Sequence, residues 1–268
     1  MFLDLKDGGK LHYEVHGDSG EWLVILNGIM MSTASWADFV EPFSRNFRLL
    51  LVDFRDQGKS SKLEGEKYDC SFHVSDLIEL MDHLEIDKIN MTGVSYGGQV
   101  ALEFAKLQPE RLKTLQLVTI IPKVNNYLTA LGNSWESAAA LEDGEEFFKI
   151  AIPPIYSDVF YENNFEWLEN RQRMFKDALT KPWFDSFIRL SKSAKKFDRT
   201  DVLDTINVPT LVLCGEKDII TPAALMKKMA EKIPDSTILI IPETGHAAFL
   251  EKPSEFITAI TGFVISNQ

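Results

Sequence analysis

Three residues, Ser95, Asp218 and His246, have the types and the sequence settings needed to make a hydroxyl reactive. Ser95 is the centre of Thr92-Gly93-Val94-Ser95-Tyr96-Gly97-Gly98, a Gly-x-Ser-x-Gly pattern in which small residues let the backbone turn sharply and expose the hydroxyl. A serine hydroxyl is a poor nucleophile at neutral pH, so it needs a base within hydrogen-bond reach and a group that orients the base. The pentapeptide alone arises by chance in about one chain in ten of this length, so its weight depends on the surrounding elements. His246 follows an apolar run, Ser236 to Ile241, through Pro242-Glu243-Thr244-Gly245, and Asp218 follows another, Pro209 to Gly215. In a parallel sheet, groups placed just beyond the carboxyl ends of strands gather at one edge. The remaining histidines, His12, His16, His73 and His83, sit in a hairpin or a helical region and are expected to be structural or on the surface. After the run ending at Val118 the chain reads Thr119-Ile120-Ile121-Pro122-Lys123, without a carboxylate, which leaves Asp218 as the orienting acid. Glu216 is expected to be structural or solvated.

The elements that must carry these residues follow from the apolar pattern. Phe2 to Leu5 and Leu11 to His16 flank Asp7-Gly8-Gly9 as a hairpin, and continuous apolar runs at Trp22–Leu26, Phe47–Asp53, Lys88–Val94 and Leu112–Val118 alternate with helical stretches. These helices are expected at about 35–43, 72–84 and 96–108. Unbroken apolar strands alternating with helices predict a mostly parallel, eight-stranded sheet covered on both faces. Between about 122 and 198 no strand-like run occurs; helical stretches at 128–141, 145–150, 164–179 and 183–195 carry roughly half of the aromatic residues, among them Tyr127, Trp135, Phe147, Phe148, Tyr156, Phe160, Tyr161, Trp167, Trp183 and Phe184. This predicts one α/β domain, residues 1–121 and 199–268, interrupted by an inserted helical lid, 122–198, some of whose rings face a pocket. After the insert, Thr221-Pro222 reads as an N-cap followed by a first-turn proline, opening a helix to about Lys232.

A chain of 268 residues is long enough for an extensive core, and a net charge of −12 argues against nucleic acid and anionic membrane surfaces as partners. No run approaches a membrane span and no signal peptide is evident, so a cytoplasmic location is expected. Cys70 and Cys214 are far apart and without metal-ligand spacing, which predicts two reduced, buried thiols rather than a disulfide or zinc site.

The order Ser95, Asp218, His246 on this strand pattern, together with Asp53-x-Arg55-x-x-Gly58-x-Ser60, Gly215-x-x-Asp218 and Gly245-His246, resembles the α/β-hydrolase superfamily over nearly the whole chain. The resemblance implies a cofactor-free, acyl-enzyme mechanism, with an oxyanion hole formed by the backbone N–H groups of Tyr96 and Ile29. Most members have His-Gly where this chain has Asn27-Gly28, which leaves Met30 as the rival donor to Ile29. Gly28, Met30 and Met31 are expected to touch substrate, the methionines as adaptable apolar surface. The stretch Asn27-Gly28 with Ser32-Thr33-Ala34-Ser35 also resembles the corresponding loop of bacterial 3-hydroxyacyl acyltransferases, although Gly93 departs from that group. The expectation is a serine hydrolase for a small-molecule ester or thioester with an apolar acyl part. Transfer of a (3-hydroxy)acyl group from carrier protein or coenzyme A is the first alternative, for which Lys192, Lys195, Lys196 and Arg199 offer a basic rim. The second is a small-ligand binding or signalling protein on the same scaffold.

Overall fold

The computed structural model describes residues 1–63, 65 and 67–268. Strands β1 (Phe2–Asp4), β2 (Lys10–His16), β3 (Glu21–Leu26), β4 (Phe47–Val52), β5 (Ile89–Val94), β6 (Leu112–Val118), β7 (Thr210–Gly215) and β8 (Ser236–Ile241) form one sheet in the order β1-β2-β4-β3-β5-β6-β7-β8. β1 with β2 and β2 with β4 pair antiparallel, and every later pair is parallel. The chain runs from β3 to β4 on one side and then crosses to β5 on the other. The carboxyl ends of β3 and β5 therefore flank the crevice where the winding reverses, the place where open α/β sheets bind their ligands.

The strand side chains alternate between two cores, as a two-residue period requires. Leu23, Ile25, Leu49 and Leu51 join one, with α1 (Ala37–Ser44) and α10 (Pro253–Ser266). Val24, Leu26, Leu50 and Val52 join the other, with α2 (Cys70–His83), α3 (Tyr96–Leu107) and α8 (Ala223–Ala230). Both cysteines are buried and unbridged. Among the described residues no helix is long and apolar enough to cross a membrane.

Residues 122–198 hold α4 (Asn126–Ala139), α5 (Gly144–Ala151), α6 (Asp158–Ala178) and α7 (Lys181–Ala194). They share a small core, including Trp135, Phe147, Phe184 and Phe187, which also takes in Ile220 from the loop after β7. The two ends of the segment meet: Lys123 pairs with Asp198 as an antiparallel bridge, Val124 N–H donates to Phe197 O (2.9 Å) and Arg199 N–H to Pro122 O (2.7 Å).

Several boundaries differ from the sequence expectation for local reasons. α6 begins at Asp158 rather than near Asn164, because the Ser157 hydroxyl caps it by accepting from Phe160 N–H (3.0 Å). Asn164 itself leaves helical geometry (φ −133, ψ 26), and its side-chain amide donates to Phe160 O, so the Asn-Asn pair bends the helix without ending it. Pro182 sits in the first turn of α7, where no N–H is required. The helix expected from Ser35 is a 3₁₀ turn, Thr33–Trp36, followed by α1. Thr221 is not an N-cap: Pro222 holds that position, and α8 stops at Ala230. A four-residue helix, α9 (Ala248–Glu251), follows His246 and gives no apolar period long enough to read.

Candidate active site

β5 delivers Ser95 and α3 leaves from it, and the serine takes the turn in a strained conformation (φ 52, ψ −112). A non-glycine residue held at positive φ costs about 1–3 kcal/mol unless its surroundings impose it. Here they do, because β5 and α3 approach too closely for larger residues. A Cβ on Gly93 would lie 2.5 Å from Gly97 O, and one on Gly97 would lie 2.3 Å from Leu26 O. The flanking glycines thus let the elbow press against the end of β3, and the Ser95 N–H is tied to Val118 O (2.9 Å).

His246 and Asp218 come from the loops after β8 and β7. Ser95 Oγ lies 2.9 Å from His246 Nε2, and His246 Nδ1 lies 2.9 Å from Asp218 Oδ2. The acid is almost fully buried (4 % exposed) and well supplied with donors. Its Oδ1 accepts from the backbone N–H groups of Ile220 (2.8 Å) and Thr221 (2.9 Å), and its Oδ2 accepts from the Thr221 hydroxyl (2.6 Å) as well as from His246. Burial alone would raise the Asp218 pKa, but the facing imidazole and the Thr221 donors outweigh it, and the carboxyl is held below its ordinary value. With Asp218 ionised, the imidazole proton belongs on Nδ1, and Nε2 is free to accept the serine proton.

The loop after β3 faces the serine. Asn27 is fully buried and fully used: its amide donates to Val52 O (2.7 Å) and Gln57 Oε1 (3.2 Å), and its oxygen accepts from the Trp36 indole (2.8 Å). Gln57 in turn donates to Gly28 O (2.8 Å) and, more weakly, to Ile29 O (3.4 Å). Asparagine in place of the usual histidine therefore anchors this loop rather than loosening it. Met31 N–H is bonded to Gly28 O (3.1 Å), whereas no described group accepts from the N–H of Ile29, Met30 or Tyr96. The N–H groups of Ile29 and Met30 are thus both available to a ligand beside Ser95.

A cavity of about 580 Å³ opens over Ser95, within the roughly 300–1,000 Å³ typical of small-molecule sites. Gly28, Ile29, Met30 and Met31 all border it, as do Tyr96 and His246. From residues 122–198 it takes Trp135, Tyr156, Phe160, Trp167 and Phe175, while Phe147, Phe148 and Phe184 pack inward and Tyr127 is exposed. Two polar atoms at this wall are buried without a partner among the described residues, Trp135 Nε1 and Thr119 Oγ1.

The other motif residues support the frame. Asp53 accepts from Thr33 N–H (2.6 Å), Lys59 N–H (3.0 Å) and His12 Nδ1 (2.9 Å), which gives His12 its structural role. Arg55 forks onto Asp76 (2.6 and 2.8 Å). Asp56 is gripped by Arg189 of α7 (2.7 and 3.0 Å), which ties that helix to the core. Glu216 accepts from Glu243 N–H (2.9 Å), away from the imidazole. Sequence alone assigns neither Thr221, read there as a helix cap, nor Gln57 a role at the site. Thr221 lies three residues after Asp218, a spacing that suits a local side-chain bond, whereas the approach of Gln57 to Gly28 is purely tertiary.

The family model described as "alpha/beta hydrolase fold" matches residues 21–253. Among solved structures, MGS-M2, an α/β-hydrolase enzyme from a Medee basin deep-sea metagenome, is 36% identical and superposes with a TM-score of 0.95 over 98% of this chain and 97% of its own. A Bacillus subtilis protein given the provisional name 2-succinyl-6-hydroxy-2,4-cyclohexadiene-1-carboxylate synthase is 28% identical over 96% of this chain and 98% of its own length. The pimeloyl-[acyl-carrier protein] methyl ester esterase of Nitrosomonas europaea is 27% identical over 93% and 97%.

Proposed function

The chain belongs to the α/β-hydrolase family, and we propose that it is a serine hydrolase that cleaves a carboxylic ester or thioester with an apolar acyl part through an acyl-enzyme. One observation carries the reading: the unbroken run of 2.9 Å contacts from Ser95 through His246 to the buried Asp218, beneath a largely apolar cavity.

Ser95 Oγ attacks the substrate carbonyl carbon while His246 Nε2 takes its proton, and Asp218 stabilises the imidazolium that forms. The negative charge reaching the carbonyl oxygen falls between the unclaimed N–H of Tyr96 and that of Ile29 or Met30. Collapse breaks the bond to the alcohol or thiol, which leaves with the proton from His246. A water then gives a proton to His246 and adds to the acyl carbon; the second collapse releases the acid and returns the proton to Ser95. In this reading residues 122–198 are a lid: their ends are clasped at Lys123–Asp198, and their rings close the cavity away from the sheet.

Acyl transfer uses the same first half-reaction. Two of the four basic side chains that would dock a carrier are already engaged, Lys195 with Glu136 (2.8 Å) and Arg199 with Glu103, which weighs against that reading. Matched ester, thioester, lactone and carbamate substrates over a series of acyl lengths, each run with and without added acyl acceptors, test the proposal. Ester or thioester turnover that is indifferent to acceptors supports it; products formed mainly on the acceptor would replace it with acyl transfer.

A further inference from the structure

Charge is distributed unevenly around the cavity. Among its lining residues, Lys195 is committed, with Nζ 2.8 Å from both Glu136 Oε2 and Asn133 Oδ1, and Asp38 is exposed at the rim. Arg171 is different. It lies half-buried on the α6 wall, its guanidinium carbon 5.2 Å from the Trp167 ring centre and 5.8 Å from that of Phe175. No described carboxylate comes within 4.0 Å of it. Its own helix offers none, because the residues three and four positions away are Trp167, Leu168, Met174 and Phe175. With no carboxylate of the described residues paired to it, the Arg171 charge borders the cavity over Ser95.

The aromatic wall leads from this arginine towards the reaction centre. Trp167 meets Tyr156 and Phe160 edge-on at 6.1 and 5.7 Å, and Tyr156 stacks on Phe160 at 4.8 Å. The Ile155 carbonyl beside Tyr156 accepts from Ala247 N–H (3.0 Å), the residue after His246. Arg171 thus lines the same cavity as Ser95, two ring contacts along its wall from the loop that carries His246. Its planar fork matches a carboxylate, and Trp167 and Phe175, four residues before and after it on α6, hold the guanidinium against aromatic surface at the cavity wall.

We propose that Arg171 anchors a carboxylate remote from the scissile bond, so that the preferred substrates are esters or thioesters carrying a terminal carboxylate. The inference rests on Ser95 being the acyl-enzyme nucleophile. A charge-assisted bond of this kind corresponds to roughly 10–100-fold in affinity or in kcat/KM.

The test compares p-nitrophenyl hexanoate with the mono-p-nitrophenyl ester of adipic acid, which places the carboxylate on the acyl arm, and with 4-(hexanoyloxy)benzoate, which places it on the leaving arm. The readout is the ratio of kcat/KM for each carboxylated ester to that for the neutral one, in wild type, Arg171→Ala, Arg171→Lys and Arg171→Glu. For one of the two arms the ratio should fall about 10–100-fold in Arg171→Ala, recover in part in Arg171→Lys and fall further in Arg171→Glu. Ratios that stay within threefold of wild type on both arms overturn the proposal. Calorimetric binding of adipate monomethyl ester and methyl hexanoate to Ser95→Ala protein, with and without Arg171→Ala, reads the same anchor without chemistry. Equal affinities there would refute the carboxylate anchor even if Ser95 is active. Conversely, a selective loss of adipate binding alongside unimpaired turnover by Ser95→Ala would preserve the anchor and reject the nucleophile.

Discussion

Replacing Asp218 by asparagine changes a single atom in the site, and its consequence can be worked out from the contacts. Asp218 Oδ1 accepts two backbone N–H groups, from Ile220 and Thr221, and neither can rotate to become an acceptor. An asparagine must therefore keep its carbonyl oxygen at that position and put its NH₂ where Oδ2 now meets Thr221 and His246. The Thr221 hydroxyl can turn to accept, but His246 Nδ1 can accept only if the ring proton moves to Nε2. That tautomer points a proton at Ser95 Oγ, 2.9 Å away, and cannot take one from it. Turnover should fall about 10⁴-fold, or about 5.5 kcal/mol of transition-state stabilisation, the scale found when a triad acid becomes its amide. The assay is kcat on a short p-nitrophenyl ester, with the melting temperature measured in parallel and the histidine tautomer read by ¹⁵N NMR. A loss of less than tenfold in a folded Asp218→Asn protein, or an unchanged Nδ1–H tautomer, would refute the reasoning.

Gln57→Ala removes the side chain that holds Gly28 O and is expected to lower kcat about tenfold or more with a smaller change in KM, short of the roughly 10²–10³-fold for losing an oxyanion donor outright; steady-state kinetics on a neutral ester check it. Gly97→Ala should destabilise the fold by about 1–3 kcal/mol, measured by denaturant unfolding, because its Cβ would lie 2.3 Å from Leu26 O; a neutral effect would mean the elbow is looser than drawn. His73 is buried with both ring nitrogens unpartnered among the described residues, stacked on Phe54 at 4.7 Å, and burial pulls its pKa down to about 3. Between about pH 6.5 and pH 3 the unfolded chain binds a proton that the folded chain refuses, so this residue makes stability fall as pH is lowered, by up to about 1.4 kcal/mol per unit. In His73→Phe the slope of unfolding free energy between pH 6 and pH 4.5 should be shallower by up to that amount, and an identical slope would contradict the assignment.

The alternation of apolar strands and helices was legible because buried parallel strands leave unbroken runs, and all eight strands lie within a residue or two of those runs. Ser95, Asp218 and His246 could be picked out because each directly follows a strand, and the structure brings the three together. The start of α6 was misplaced because its signal is one capping hydroxyl, Ser157, while Asn163-Asn164 reads as a break. Thr221 looked like a helix cap since threonine before proline commonly is one, but the buried Asp218 carboxylate competes for its hydroxyl and wins. The clasp of Asn27, Gln57 and Trp36 was out of reach for another reason. Those residues lie 9 and 30 positions from Asn27 and meet only after β3 and β4 have paired. Arg171 likewise reads as an ordinary helical arginine between Trp167 and Phe175 until the cavity beside it is in place.

In the proposed mechanism Ser95 carries the acyl group. Rapid acid quench of the protein mixed with excess p-nitrophenyl ester, followed by intact-mass and peptide analysis, reads this directly. One acyl adduct is expected, located on the peptide containing Ser95, trapped in wild type and absent from Ser95→Ala, whose turnover falls by about a millionfold. An adduct on another residue, or a Ser95→Ala protein that hydrolyses the ester at a near-normal rate, would contradict it.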